Sequence, residues 1–212
     1  MRALRFAGLL LALAAAQVAQ GQTPLDNYLA QLKTLRAEFS QTVTEANGRQ
    51  VQKATGRLLI LRPGRFRWEI TPDGSAAGAA PQLMVADGKN LWFYDRDLEQ
   101  VSVKPAQGAL TATPASLLSG DGDIREMFIV KSVGRSDGLD WVLVTPRKPD
   151  ADFREARLGF AKSDLKRMVL KDKLGQTVEL DFRVSARNVP VAEGDVTFVP
   201  PAGADVIGTP LP

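Results

Sequence analysis

Between Gly56 and Ile70 apolar and polar positions alternate on both sides of a tight turn. The apolar run Leu58–Leu61 reaches Arg62, Pro63-Gly64 reverses the chain, and Phe66, Trp68 and Ile70 return in alternation with Arg65, Arg67 and Glu69. A period of two turns one face of each strand toward apolar partners and the other toward water. Leu58, Ile60, Phe66, Trp68 and Ile70 are therefore expected on one buried face. Arg62 extends the row of Leu58 and Ile60, because i, i+2 and i+4 point together in a strand. Either this guanidinium finds hydrogen-bond acceptors at the end of an apolar row, or it is solvated beside the hairpin, the ordinary position of an arginine.

Elsewhere the pattern changes period only near the start and in the middle. Thr23-Pro24 supplies an N-cap and a first helical position, and the stripe Leu25, Tyr28, Leu29, Leu32, Leu35 and Phe39 predicts a helix from residue 24 to about Ala37. Strand character follows from Phe39, Asn47-Gly48 marks a hairpin, and Gln50–Leu61 is the return strand. After Arg65–Ile70 comes an aperiodic loop, Thr71–Gln82, and then a hairpin, Leu83–Ala86 with Leu91–Asp95, turning at Asp87-Gly88 and continued by Leu98–Lys104. Thr113-Pro114 opens a short helix over Ala115–Ser119 that carries Leu117 and Leu118, and Asp123-x-x-Glu126 reads as a capping box on another ending near Phe128. Strands resume at Ile129–Val133, Leu139–Thr145, Phe153–Ala161, Leu165–Asp172 and Val178–Val184, and a proline-punctuated tail holds one more at Val196–Phe198. Short connections argue for an antiparallel meander. Roughly ten strands with a few helices predict a mainly β protein, a strongly curved sheet or open barrel with the helices on its concave side. Helices this short are not expected to fill such a sheet, which leaves an apolar chamber able to hold a ligand.

Composition narrows the function. Residues 1–21 carry Arg2 and Arg5, an apolar run from Phe6 to Ala16 and the small residues Ala19 and Gly21, and are expected to be a cleaved secretory signal. Residues 22–212 then form one exported domain. Removing Arg2 and Arg5 lowers Lys plus Arg from 27 to 25 against 24 acids, so the net charge falls from +3 to +1 and calls for no nucleic-acid partner. With Cys and His both at 0, disulfides, thiol nucleophiles, Cys/His metal sites and Ser-His-Asp catalysis are excluded. Asp95, Asp97 and Glu99 could supply a pair of catalytic carboxyls, but their spacing beside a turn also suits a solvated face. No catalytic residue, metal site or cofactor is assigned.

Phe39-Ser-Gln, Gly56–Trp68 with Arg62-Pro63, Asp87-Gly-Lys-Asn-Leu-Trp-Phe-Tyr94, Glu99-Gln100, Thr113-Pro114 and Phe198-x-Pro-Pro201 together resemble LolA, the family of periplasmic carriers of outer-membrane lipoproteins. The resemblance covers nearly all of residues 22–212. It implies a half-open antiparallel β-barrel of about eleven strands closed by a helical lid, and a cavity for lipoprotein acyl chains. It implies that Arg62 tethers the lid, that Phe66 lies on the lipid- and partner-interaction face at the cavity rim, and that Leu58, Ile60, Trp68, Ile70, Leu117 and Leu118 meet acyl chains or partners. It further implies a monomer that takes acylated lipoproteins from an inner-membrane ABC transporter to an outer-membrane receptor. Residues Gly74–Pro81 look like an insertion relative to the family loop. Other readings stay open: a lipid-sensing regulator of the same fold, a membrane-anchored acceptor, which would need a lipid-bearing Cys, and a secreted hydrolase, which would have to work without His.

Overall fold

Alternation becomes pairing from Thr34 onward. The computed structural model describes residues 21–76, 81–106, 114–120, 123–148, 151 and 153–212. Helix α1 (Pro24–Gln31) is followed by strands β1 (Thr34–Thr44), β2 (Gln50–Leu61), β3 (Arg65–Pro72), β4 (Gln82–Asp87), β5 (Asn90–Asp95) and β6 (Gln100–Pro105). Short helices α2 (Pro114–Ser119) and α3 (Ile124–Met127) lead to β7 (Phe128–Ser136), β8 (Leu139–Pro146), β9 (Phe153–Ala161), β10 (Asp164–Asp172) and β11 (Thr177–Arg187). A 3-10 turn, Glu193–Val196, and a short strand β12 (Asp205–Ile207) complete the described elements.

The strands form one sheet in the order β12-β6-β5-β4-β3-β2-β1-β11-β10-β9-β8-β7. Two antiparallel meanders, β1–β6 and β7–β11, are joined where β1 pairs with β11. Because β7 and β12 end the order without pairing to each other, the barrel is half open, as the alternation and the resemblance imply. Its inner face carries the main core, from Leu35, Phe39, Leu58 and Phe66 to Leu158, Met168 and Leu180.

The first helix is shorter than its stripe predicts. It ends at Gln31, and Leu32 is already extended at ψ 117. Leu35, Ala37 and Phe39 fit a period of two as well as a helical one, and they are buried as alternate residues of β1. Pairing on both sides, to β2 and β11, satisfies more backbone groups than two further turns of an exposed helix would. Asn188 fixes the crossover: its side chain accepts from Lys33 N–H at 2.8 Å and donates to the Gln31 carbonyl at 2.9 Å. The tail departs too. The predicted strand at 196–198 begins inside the 3-10 turn, and the strand that forms is β12, parallel to β6. Thr113 lies outside the described residues. Asp123 caps α3 by accepting from Arg125 N–H at 2.8 Å, which supplies the N-cap half of the predicted box.

The outer face of β4–β6 has its own apolar cluster, Leu83, Val85, Trp92, Tyr94, Val101 and Val103, against which Phe198 and Ala204 of the tail pack. Phe198 lies 5.6 Å from the Trp92 ring and 5.9 Å from that of Tyr94. Asn90 exchanges hydrogen bonds with the backbone of Leu211, at 2.8 and 3.1 Å, and so ties down the end of the chain.

Candidate functional site: an apolar face under a helical cover

On the inner face Leu58 and Ile60 of β2 stand opposite Trp68 and Phe66 of β3. Gly56 lies one step along, and Phe39 of β1 occupies the space above it. A Cβ at Gly56 would come within 2.3 Å of the Phe39 ring and of the Glu69 carbonyl oxygen, so only glycine admits the ring. Phe39 in turn sits 5.1 Å from Trp68 and 6.3 Å from Phe182.

The segment before β1 and the connection between the meanders lay helices over this face. Helix α2 packs on β2 and β3, and α1 packs against β8. Leu25, Tyr28, Leu117 and Leu118 form their buried underside. Tyr28 packs 5.5 Å from Phe160, with the Arg187 guanidinium 5.2 Å over its ring. Burial pushes the Tyr28 phenol up to about 12, with Arg187 opposing and Asp164 adding to the shift, so it stays neutral.

Arg62 sits where the two helices converge. Its guanidinium donates to the Leu29 carbonyl of α1 at 2.5 Å and to the Gly120 carbonyl just beyond α2 at 2.9 Å. Nearby, Gly64 N–H donates to Ser119 O at 2.7 Å. The last carbonyls of a helix have no partner within it and carry the negative end of its dipole. One cation thus supplies a donor at the C-terminal ends of both helices.

A further polar contact joins the other end of α1 to α3. Asp26 accepts from Arg125 at 2.7 Å, with side chains 17% and 25% exposed. Asp26 also completes the α1 capping box with Thr23. Burial alone would raise the Asp26 carboxyl, but the hydrogen bonds from Arg125 and Thr23 outweigh it and hold the group below its ordinary value. Arg62, Asp26 and Arg125 line one cleft of about 320 Å³.

Leu58, Ile60, Phe66, Trp68, Leu117 and Leu118 are brought together in this core, with Ile70 half-buried at its margin. Among the described residues they do not line an open chamber. Leu58, Ile60 and Phe66 of the sheet are 0% exposed, and so is Leu118 of α2, because the helical underside seats directly on the sheet. The helices thus cover more of the sheet than their length predicts. Phe66 is likewise a core residue and not part of an exposed rim; a glutamate there would strand a charge in the core and lower stability as well as any binding. The clefts of about 570 and 620 Å³ lie instead on the outer face of β1–β3 and are lined by Arg36, Arg57, Arg67, Glu38 and Glu69. Asp95, of the acidic trio, is engaged in its turn, accepting from Asp97 N–H at 3.0 Å.

Residues 30–198 match the family model described as outer membrane lipoprotein carrier protein LolA. The chain belongs to the LolA family. An outer-membrane lipoprotein carrier protein of Dechloromonas aromatica (strain RCB) is 42% identical over 87% of this chain and 86% of its own. One from Methylobacillus flagellatus is 38% identical over 90% of each. An uncharacterized conserved protein from Thermus thermophilus, known from its crystal structure, shares the fold at TM-score 0.50 and 17% identity, over 87% of this chain and 96% of that one.

Several residues that carry the LolA resemblance have structural roles here. Asp87 accepts from Lys89 N–H, Asn90 N–H and the Trp92 indole N–H at 2.7–2.8 Å, which sets the β4–β5 turn. Gly56 makes room for Phe39, and Phe198 closes the outer cluster. Sequence reasoning missed Asn188 and the pairing of Asp26 with Arg125. Asp26 is a first-turn acid of α1, and its partner lies 99 residues away.

Proposed function

We propose that this protein is a periplasmic carrier, exported by the signal at residues 1–21, that shields the acyl chains of lipoproteins on their way from an inner-membrane ABC transporter to an outer-membrane receptor. It works as a monomer and catalyses no reaction. The acyl chains take the place of the helical underside on Leu58, Ile60, Phe66, Trp68 and Ile70, with Leu117 and Leu118 closing over them. The observation that carries this reading is the Arg62 bridge: an extensive apolar face is covered by two short helices whose ends meet on one side chain.

Magnitudes favour an exchange of covers. Lifting Leu25, Tyr28, Leu117 and Leu118 off the sheet costs on the order of 2 kcal/mol each, and the part-buried Arg62, screened by water, adds about 0.5–1 kcal/mol per bond. One acyl chain of about fifteen methylenes contributes on the order of 12 kcal/mol when it leaves water. Cargo therefore repays the opening of the lid. Re-forming the closed lid, with Arg62 back on its carbonyls, offsets part of the cost of release.

Arg62→Leu tests this. The variant is expected to fold, with a melting temperature within a few degrees of the parent, and to accept lipoprotein. Transfer to acceptor membranes should fall about tenfold, because the closed state that drives release has lost about 1.4 kcal/mol. Parallel loss of stability and transfer would make Arg62 a structural residue only.

A further inference from the structure

Among the described residues, the fully buried side-chain polar atoms without a hydrogen-bond partner are the Trp68 indole nitrogen and the Ser119 hydroxyl. Both belong to the same place. Trp68 is on the inner face of β3, and Ser119 ends α2, the helix that packs on β2 and β3. Their exposures are 5% and 0%. The other tryptophans are satisfied: Trp92 donates to Asp87 at 2.7 Å and Trp141 to the Ser136 carbonyl at 3.2 Å. An indole N–H withdrawn from water without an acceptor is destabilising, and such groups in a native core call for a reason. Packing gives none, since Phe39 and Phe182 fill the same cluster without a polar atom.

A ligand that enters this face must be mostly hydrocarbon, and it relieves the unmet donors only if it brings acceptors. A charged headgroup would lose its hydration against an apolar wall for one neutral N–H. The acceptor that travels with an acyl chain is the uncharged carbonyl oxygen of its ester or amide link. We propose that the Trp68 indole N–H and the Ser119 hydroxyl donate hydrogen bonds to acyl carbonyl oxygens of the bound lipid, so that the site selects ester- or amide-linked acyl chains over bare hydrocarbon.

This rests on the carrier reading above and adds to it a polar element of cargo recognition. The Ser119 carbonyl is held by Gly64, four residues before Trp68, or about 13 Å along a strand. A multiply acylated cargo supplies a separate carbonyl to each donor. Trp68 is fixed in the sheet, whereas Ser119 moves with the cover and engages as it settles over the chains.

The test compares a dipalmitoyl ester lipopeptide with its dialkyl ether twin, which has the same peptide and chain lengths and no acyl carbonyls. Binding to the mature protein is followed by displacement of a fluorescent fatty-acid probe, read on the probe's own emission. The parent should prefer the ester about tenfold, roughly the worth of one good hydrogen bond. Trp68→Phe and Ser119→Ala should each reduce that preference several-fold, chiefly by weakening the ester, and the empty Ser119→Ala protein should melt no lower than the parent. A parent that binds both lipids equally, or variants that lose both in equal proportion, would overturn the proposal while leaving the carrier reading intact. A parent that binds neither lipid would overturn both. Should Trp68→Phe fail to fold, the parent's ester-to-ether ratio and Ser119→Ala still decide.

Discussion

Both faces of this sheet have an apolar area that needs a cover, and the two covers are fastened differently. Over the inner face lie α1 and α2, of 8 and 6 residues, held by the Arg62 bonds and by the Asp26–Arg125 pair. Over the outer face of β4–β6 lies the tail, with Phe198 between Trp92 and Tyr94, β12 paired to β6, and Leu211 bonded to Asn90. The tail is fastened along its length, whereas the helices are fastened at points. Helices this short do not persist alone in water, so the inner cover depends on what it sits on, and point contacts can be released singly. A cover built to be exchanged for cargo needs that property. One that completes a core does not.

The largest stability effect should follow from damaging the permanent cover. Phe198→Ala removes a half-buried ring from the outer cluster, and a loss of about 2–3 kcal/mol is expected, or roughly 5–10 °C in melting temperature. Lipid capture by the protein that remains folded should be unchanged; a loss of capture that exceeds the loss of fold would dissolve the contrast between the covers.

A smaller and local effect is expected at Asp26. Its carboxyl is held below the ordinary value, so the stabilisation it gives is complete above the unfolded value of about 3.9 and is lost as pH falls through the lower, folded one. Arg125, Arg62 and Asp123 line the same cleft. Amide exchange in α1, taken relative to its intrinsic rate at each pH, should accelerate in the parent only below about pH 4. In Asp26→Asn it should already be faster at neutral pH and show no acid step. Asp87 is depressed likewise, once its hydrogen bonds outweigh burial, but its step would be read in the β4–β5 turn. An unchanged acid step in Asp26→Asn would remove this pair from the fastening of the lid.

Deleting Gly74–Ala80 should have the least effect. Residues 77–80 lie outside the described residues, but β3 and β4 pair up to Ile70 and Gln82, so a shorter turn can join them. Loop closure changes by only about 0.6 kcal/mol per doubling of length. Melting and lipoprotein loading are both expected to match the parent. A folded variant that donor membranes no longer charge would mark the loop as a docking element.

The alternation of apolar and polar residues made the meander legible: Gln50–Leu61 and Phe153–Ala161 match β2 and β9 end to end. Thr23-Pro24 likewise marked where α1 starts. Where it stops was hidden, because Asn188 bonds to Gln31 across 157 residues. Arg62 shows the same division. That it needed acceptors follows from its place on an apolar row, but the acceptors are helix-end carbonyls 33 and 58 residues distant, which no local pattern reveals. The closed state of the inner face was also illegible, since it depends on how α1 and α2 seat on the sheet. Strand β12, with the three residues Asp205–Ile207, is too short to leave a periodic signal.

The tryptophans can report whether acyl chains bind under the lid, as proposed above, and not against the outer cluster or the outer clefts. One variant keeps Trp68 alone, with Trp92→Phe and Trp141→Phe; another keeps Trp92 alone, with Trp68→Phe and Trp141→Phe. Each is saturated with a lipopeptide whose acyl chains are brominated, so that emission is quenched only on close approach. Strong quenching of Trp68 with Trp92 nearly unaffected is the predicted result. Quenching of Trp92 at least as strong as that of Trp68, or full binding with Trp68 emission unchanged, would contradict it.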